Sequence, residues 1–110
     1  MWLMTTVGFF SVVRKENDDD LTVRARVQED LEDLGRRYLP TLGPIEAGGG
    51  SDYPYRARVS ATAFAAAVAN LVEDIDYPNF KDAVASRQGL ERARAYGEVW
   101  SVLRGLTPHP

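Results

Sequence analysis

Four arginines at a repeated spacing are the residues of this chain best suited to chemistry. Arg24 and Arg26 lie in the segment LTVRARVQ, and Arg56 and Arg58 lie in YPYRARVS, 32 positions later. Arginine binds phosphate and carboxylate groups through a planar fork of N–H donors. Each copy of Arg-Ala-Arg-Val precedes a segment with helical periodicity. The repeat therefore predicts two strands that each lead into a helix and carry the arginines on one side.

The connector DIDYPNFKD (74 to 82) is a second candidate site. It carries four side chains that could act together: Asp76, Tyr77, Asn79 and Lys81. Loops carry binding and catalytic residues more often than regular elements do. Two interpretations stand beside each other. Either Asp76 or Asn79 caps the following helix while Tyr77 and Phe80 pack, or these side chains take part in a ligand site.

Several kinds of chemistry are not expected. The chain has no cysteine, which removes disulfides, thiolate metal sites and cysteine nucleophiles. Its one histidine, His109, lies near the end of the sequence. The run Asp18 to Asp20 lacks the spacing of a calcium-binding loop, and the glycines at 48 to 50 are not followed by the Lys-Ser/Thr of a phosphate loop. The sequence predicts no catalytic residues, no metal site and no cofactor.

Charge and composition limit the partners. The net charge of −3 among 110 residues counts against nucleic acid, although an acidic protein can carry a local basic patch. The apolar start MWLMTTVGFFSVV has no basic residue before Arg14 and is too short to span a bilayer. We interpret it as a strand, and expect a cytoplasmic protein with no membrane partner.

Periodicity predicts the elements that position the candidate residues. Alternation predicts strands over 4–14, 21–27 and 53–59 and a short strand near Ile45, with a flexible turn at Gly48 to Gly50. A period of 3.6 predicts helices over 28–39, from a cap at Ser60 or Thr62 to about Ile75, and from Pro78 onward, interrupted at Gln88-Gly89. The last helix places four side chains on one face that is expected to pack in the core: Ala93, Tyr96, Trp100 and Leu103.

The order of these elements predicts an α+β fold. We expect a two-layer sandwich that is ferredoxin-like in the permuted order ββαββα, with additional C-terminal helices. One domain is expected over 1–106, with a flexible tail over 107–110. The two Arg-Ala-Arg-Val strands would lie side by side at the centre of the sheet, with their arginines on the face opposite the two helices.

Four like charges on one sheet face repel one another unless something pairs them. One explanation is internal, with the C-terminal helices supplying carboxylates such as Glu91, Glu98, Asp76 or Asp82. The other is that the arginines bind an external anion. The sequence leaves both explanations open.

Five segments resemble an uncharacterised family of small bacterial proteins of about this length. They are GFFSVV (8–13), RARV (24–27), DYPYR (52–56), DIDYPNFK (74–81) and AYGEVW (95–100). The resemblance implies a bacterial, cytoplasmic protein and brings no activity, cofactor or catalytic residue. In that family position 58 is not always arginine, which weakens any role for Arg58. A histidine follows the tyrosine of the last helix there, and Gly97 stands in its place here, which weakens a site built on that histidine.

The favoured function is a non-enzymatic interaction or regulatory module whose arginine-lined sheet face and Asp76–Lys81 connector bind an anionic partner. That partner would be an acidic protein, a small phosphorylated ligand or nucleic acid. One alternative is a small enzyme that holds an anionic substrate with Arg24, Arg26, Arg56 and Lys81, and in which Asp76 or Tyr77 transfers protons. Another is a nucleic-acid-binding sheet, which needs exposed aromatic side chains such as Phe9 or Phe10. A homodimer is also expected as one mode of association.

Overall fold

The computed structural model describes residues 1–48 and 52–109, which form two compact units. The first runs from Met1 to Ile75 and the second begins at Asp76. In the first unit the elements are β1 (Trp2–Met4), β2 (Phe9–Val13), β3 (Leu21–Ala25), α1 (Gln28–Arg37), β4 (Glu46–Ala47), β5 (Tyr55–Val59) and α2 (Ala61–Glu73). In the second they are α3 (Phe80–Gln88), α4 (Leu90–Leu103) and a 3-10 turn (Arg104–Leu106). No helix within these described ranges is long and apolar enough to cross a membrane.

The five strands form one antiparallel sheet in the order β1-β2-β3-β5-β4. The predicted α+β class is confirmed, and so is the pairing of the two Arg-Ala-Arg-Val strands, since β3 and β5 are neighbours inside the sheet. Their register places Val23 opposite Ala57 and Arg24 opposite Arg56. Because side chains alternate along a strand, this register sends the small apolar residues to one face and the arginines to the other.

The apolar face of the sheet carries the core of the first unit. Phe10, Val23 and Ala25 are fully buried there. Leu31 and Leu34 of α1, with Phe64 and Ala67 of α2, belong to the same cluster of buried side chains. The spacing of these helical residues by three explains why both helices present a continuous apolar stripe to the sheet.

The predicted strand over 4–14 is wrong, because a tight turn divides it into β1 and β2. The Thr5 hydroxyl accepts hydrogen bonds from the backbone N–H groups of Val7 and Gly8, both at 3.1 Å, and donates one to the Gly8 carbonyl at 2.9 Å. The buried carboxylate of Asp30 in α1 accepts the Phe9 N–H at 3.1 Å. These side chains satisfy backbone groups that a continuous strand would have paired with a neighbour.

The far edge of the sheet is short. The strand expected near Ile45 is confirmed as the two residues of β4, which pair with Arg56 and Tyr55 of β5. Just before it, the Gly43 N–H donates to the Arg58 carbonyl at 2.8 Å. Gly48 has a left-handed φ of +77°, as a turn glycine can. The rest of the predicted glycine turn, residues 49 and 50, lies outside the described residues.

The ends of α2 match the sequence signals only in part. Ser60 is the N-cap, as predicted, because its hydroxyl accepts the Ala63 N–H at 3.2 Å. The helix ends at Glu73, however, and Ile75 is exposed rather than buried. The apolar residue at position 75 therefore extends the helical periodicity of the sequence beyond the helix itself.

In the second unit, Gly89 separates α3 from α4, as predicted, with a φ of +97°. Ala93 and Tyr96 of α4 are buried, and the Tyr96 ring stacks on Phe80 of α3 with the ring centroids 6.0 Å apart. The expectation that Trp100 and Leu103 share this buried position is wrong, since both side chains are exposed. The single-domain boundary of 1–106 and the flexible tail remain predictions.

The contact between Gly8 and Asp30 predicts a strong effect of a single methyl group. A Cβ at Gly8 would lie 2.6 Å from Cβ and Cγ of Asp30. Gly8→Ala should therefore lower the free energy of unfolding by about 1–3 kcal/mol, as overpacking of a filled site does. Urea denaturation measures this loss.

Gly105→Ala is the matched control, because nothing lies within 4 Å of the position its Cβ would take. Its free energy of unfolding should stay near that of the wild type. Equal stability of the two variants would show that the turn at Gly8 can move away from α1 at little cost.

Candidate functional site

The candidate site lies on the face of the sheet opposite the core, which we call the arginine face. Pairing between strands produces one row across all five of them: Trp2, Ser11, Arg24, Arg56 and Glu46. A second row contains Val13, Thr22 and Arg58. The face therefore has arginines on two of its three inner strands, β3 and β5, and an acidic side chain at the β4 edge.

The middle of the arginine face is not accessible to solvent. Ser11 is 1% exposed and Thr22 is 3% exposed, and both lie between larger neighbours in the rows. Arg24 is half-buried and donates a hydrogen bond from Nη2 to the Ser11 hydroxyl at 2.7 Å. Its Nε is buried and has no hydrogen-bond partner among the residues that the structure describes. Such a donor is costly to leave unpaired, so Arg24 holds unused hydrogen-bonding capacity.

A single aromatic ring joins Arg24 to Arg26. The guanidinium carbon of Arg24 lies 4.7 Å from the centroid of the Tyr53 ring, and that of Arg26 lies 5.2 Å from it. Tyr53 is buried, Arg24 is half-buried and Arg26 is exposed. We call these three residues the Tyr53 cluster. The ring supports both cations through its negative face, which offsets part of the repulsion between them.

Neither cation of the Tyr53 cluster has a carboxylate partner among residues 1–48 and 52–109. Two guanidinium groups on one ring without a countercharge create a local positive potential in an acidic protein. Planar guanidinium groups bind phosphate and carboxylate oxygens in pairs. The cluster has the chemistry of an anion site.

Arg58 is in a different electrostatic environment. Its Nη2 lies 2.5 Å from Oδ1 of Asp18 and 3.6 Å from Oδ2 of Asp20. The backbone N–H of Asp20, followed by the Arg58 guanidinium, lowers the pKa of Asp18. The same hydrogen bond from Arg58 to Asp18 raises the pKa of the guanidinium. Arg58 is therefore largely neutralised by the hairpin between β2 and β3.

The Arg58 pair borders a cleft of about 490 Å³ at the β4 side of the face. Its lining is mixed in charge and comprises Lys15, Asp18, Asp20, Thr22, Gly43, Pro44, Glu46, Arg56, Ala57 and Arg58. The acidic residues offset the basic ones, so this cleft is a weaker anion site than the Tyr53 cluster. Within the described part of the chain, no three histidine or acidic side chains are grouped to hold a metal ion.

The expected source of carboxylates, the C-terminal helices, is wrong for Arg58. Arg58 pairs with Asp18 and Asp20, not with Glu91, Glu98, Asp76 or Asp82. The reason is local, because Asp20 immediately precedes β3 and Thr22 of that strand lies opposite Arg58. Internal pairing thus explains Arg58 and leaves Arg24 and Arg26 without an explanation of that kind.

The connector residues belong to the second unit and have mainly structural contacts there. The Asn79 side chain caps α3 by accepting the Asp82 N–H at 2.9 Å, which confirms one of the two capping alternatives. Asp76 accepts a hydrogen bond from Arg87 at 2.5 Å, and this guanidinium lowers the pKa of the carboxyl. The Arg87 guanidinium also lies 5.6 Å from the Tyr77 ring centroid.

Three of the four predicted connector residues line one small cavity. Asp76, Tyr77 and Asn79 border a space of about 270 Å³, which Lys81 does not line. A Cβ built on Gly97 would lie 3.5 Å from Nζ of Lys81. The lysine therefore lies beside Gly97 of α4, and not with the other three residues.

Sequence reasoning missed Tyr53 as a member of the site. The alternation of the strand placed Tyr53 on the core face with Tyr55. In the structure β5 begins at Tyr55, and Pro54, which cannot donate to a strand ladder, separates Tyr53 from it. The proline was the signal that the alternation does not extend back to position 53.

The ion pair at the hairpin predicts a specific pH dependence. Folding lowers the pKa of Asp18, so its charge stabilises the folded protein above the ordinary carboxyl pKa of about 4. That contribution is lost as the pH falls through the lower pKa of the folded state. Asp18→Asn should therefore lower the melting temperature at pH 7 and have little effect near pH 2.

Asp19→Asn is the control, since it removes the same charge from the adjacent residue, which is exposed. Thermal unfolding followed by circular dichroism at both pH values measures the difference. A loss in Asp18→Asn that is the same at pH 7 and pH 2 would contradict a role for the charge.

Comparisons of the chain with protein-family models, with curated proteins and with solved structures found no match. Function is therefore inferred from the geometry of the Tyr53 cluster and of the residues around it.

Proposed function

We propose that this protein is a non-enzymatic module that binds an anionic partner through the Tyr53 cluster. The observation that carries the proposal is that Arg24 and Arg26 lie on one buried ring without a carboxylate partner among the described residues. Structural arginines are normally paired when they are partly buried. An anion from outside would supply the missing countercharge.

The two arginines have complementary parts in such binding. Arg26 is exposed and can meet a ligand in solvent, whereas Arg24 is half-buried and its Nε donor has no partner within the described part of the chain. A phosphate or carboxylate oxygen can accept several N–H groups at once. Partial burial strengthens the attraction, because charges interact more strongly away from bulk water. Arg26 would thus capture the anion and Arg24 would fix its position.

Arg56 and Arg58 have a secondary part in the proposal. Asp18 and Asp20 already neutralise Arg58, and Glu46 lies opposite Arg56 across the β4–β5 pair. These arginines border the cleft and would contact a larger partner, such as an acidic segment of another protein. The small phosphorylated ligand and the acidic protein both fit this arrangement, and the choice of probes below separates them.

The enzyme alternative has less support. A proton-transferring group works best with a pKa near the operating pH. The Arg87 guanidinium lowers the pKa of Asp76, which makes this carboxylate a weaker base. The Tyr77 ring lies beside the same guanidinium and beside the Phe80 ring, which are packing contacts. The connector therefore supports a structural role better than catalysis.

The nucleic-acid alternative also has less support. Of the two candidate stacking residues, Phe10 is fully buried in the core, and Phe9 is half-buried with its ring edge-on to exposed Trp2. Stacking of bases across a sheet needs aromatic rings that are open between the basic residues. The burial of Ser11 and Thr22 leaves no such opening in the middle of the face.

The finer fold assignment is part of the same proposal. In a ferredoxin-like sheet permuted to ββαββα, the strand order follows the pattern first, second, fourth, third. The order β2-β3-β5-β4 supports this assignment, with β1 added at the edge. A bacterial and cytoplasmic setting, which the motif resemblance implies, is proposed on that basis.

The proposal is tested by ligand-dependent melting of three variants. Inorganic phosphate, a phosphoserine peptide, a glutamate-rich peptide and a short single-stranded oligonucleotide are the probes. Binding at 100 times Kd stabilises a folded protein by about 2.7 kcal/mol, which raises Tm by several degrees. The wild type should show this rise with one probe, Arg26→Ala should lose it, and Arg26→Lys should retain only part of it because lysine lacks the fork.

Arg37→Ala is the matched control, because Arg37 is an exposed arginine over the Tyr38 ring at 5.6 Å. It removes the same charge from a similar pair and should keep the full response. If Arg26→Ala and Arg37→Ala lose the ligand-dependent rise in Tm equally, the response depends on overall charge and the Tyr53 cluster is not a specific site. No response of the wild type to any probe would reject the proposal.

A further inference from the structure

The end of α4 and the turn that follows it carry exposed apolar side chains. Trp100 is 62% exposed, Val102 77%, and Leu106 79%. Val99 and Leu103 are exposed as well. We call these five residues the C-terminal apolar surface: Val99, Trp100, Val102, Leu103 and Leu106. Isolated exposed apolar residues are common on proteins, but a group of five within eight positions is not.

Helical geometry explains why these residues remain outside the core. Successive residues of a helix are about 100° apart, so positions 99, 102, 103 and 106 fall on one side of α4 and its extension. Ala93 and Tyr96 are the residues of α4 that are buried. The helix thus has a second apolar stripe in addition to the one that it buries.

We propose that the C-terminal apolar surface is the interface through which two copies of this chain form a homodimer. From the exposed fractions, the five side chains present on the order of 500 Å² of apolar area, close to the largest patch of a typical monomer. Two such patches would bury about 1,000 Å² in total, which is the lower limit for a specific interface. The area therefore suits a modest and reversible dimer.

A second copy fits this surface better than an unlike partner does. In a two-fold dimer the same patch occurs on both sides, so each residue type must be compatible with itself. An uncharged apolar patch satisfies this condition, and the five residues contain no charge. Homodimer interfaces are also more apolar than other interfaces and are enriched in tryptophan. Trp100, whose ring lies 5.4 Å from the Arg104 guanidinium carbon, borders this stripe beside Leu103 and adds the largest side chain to the surface.

This inference is independent of the proposed function, since the C-terminal apolar surface shares no residue with the Tyr53 cluster. A dimer would present two anion sites to a partner. Such bivalence raises the apparent affinity for a partner with repeated anionic groups.

Sedimentation velocity over a range of protein concentrations tests the inference. The wild type should approach twice its monomer mass of 12.2 kDa as its concentration rises. Val102→Glu combined with Leu106→Glu should remain monomeric at every concentration. Both side chains are almost fully exposed, so the double variant should keep the circular dichroism and melting temperature of the monomer.

Leu90→Glu is the control, because Leu90 is 75% exposed on the same helix but far from the stripe. It should dimerise like the wild type. If the wild type stays monomeric at a protein concentration of about 100 μM, the inference is overturned. A dimer with a Kd of about 1 μM would be almost fully formed at that concentration. A dimer that survives the double substitution would also overturn it, since the contact would then lie elsewhere.

Tryptophan fluorescence gives a second readout at the surface itself. The chain has two tryptophans, so Trp2→Phe leaves Trp100 as the only one. Raising the concentration of this variant should shift the emission to shorter wavelength and reduce quenching by acrylamide. If the variant dimerises with no change in either signal, Trp100 is not in the interface and the assignment of the surface is wrong.

Discussion

The rest of the structure depends on the antiparallel register of β3 and β5, which places Arg24 directly opposite Arg56. The core sets this register, because the same alternation brings Val23 opposite Ala57 on the apolar face. A shift of the pairing by one residue would move apolar side chains to the solvent side and arginines to the core side. Burial of the apolar face therefore places like charges side by side on the other. The fold gains its core and acquires a cluster of arginines that must be compensated.

The charges of the arginines are not all compensated to the same extent, and the candidate site lies where compensation is weakest. At Arg58 the hairpin supplies two carboxylates, and the pKa shifts of Arg58 and Asp18 report their attraction. At Arg24 the compensation comes from a serine hydroxyl and a tyrosine ring, neither of which carries a negative charge. An aromatic ring offsets only part of the cost of a partly buried cation. The Tyr53 cluster thus has partial compensation within the fold, and in our proposal an external anion supplies the rest.

The sequence predicted the features that depend on local patterns. Alternation located β3 and β5, the Ser60 cap marked the start of α2, and Gly89 marked the break between α3 and α4. Prediction from the sequence failed for features that depend on contacts between residues far apart in the chain. Asp30 of α1 accepts a hydrogen bond from the Phe9 N–H of β2 and so helps to fix the turn between β1 and β2. That turn contains no proline that would have marked it in the sequence. Helical periodicity also placed Trp100 and Leu103 on one face with Ala93 and Tyr96, without showing that this face is exposed at the C-terminal end of α4.

The central claim is that Arg24 and Arg26 on Tyr53 form an anion site, and a titration with inorganic phosphate followed by NMR tests it most directly. The Nε–H resonances of arginine report each guanidinium separately. The account predicts saturable shifts at Arg24 and Arg26, with Arg36, which is paired with Asp33, unchanged. Small linear shifts of the same size at all three arginines would contradict it, because they would indicate screening by salt and no site.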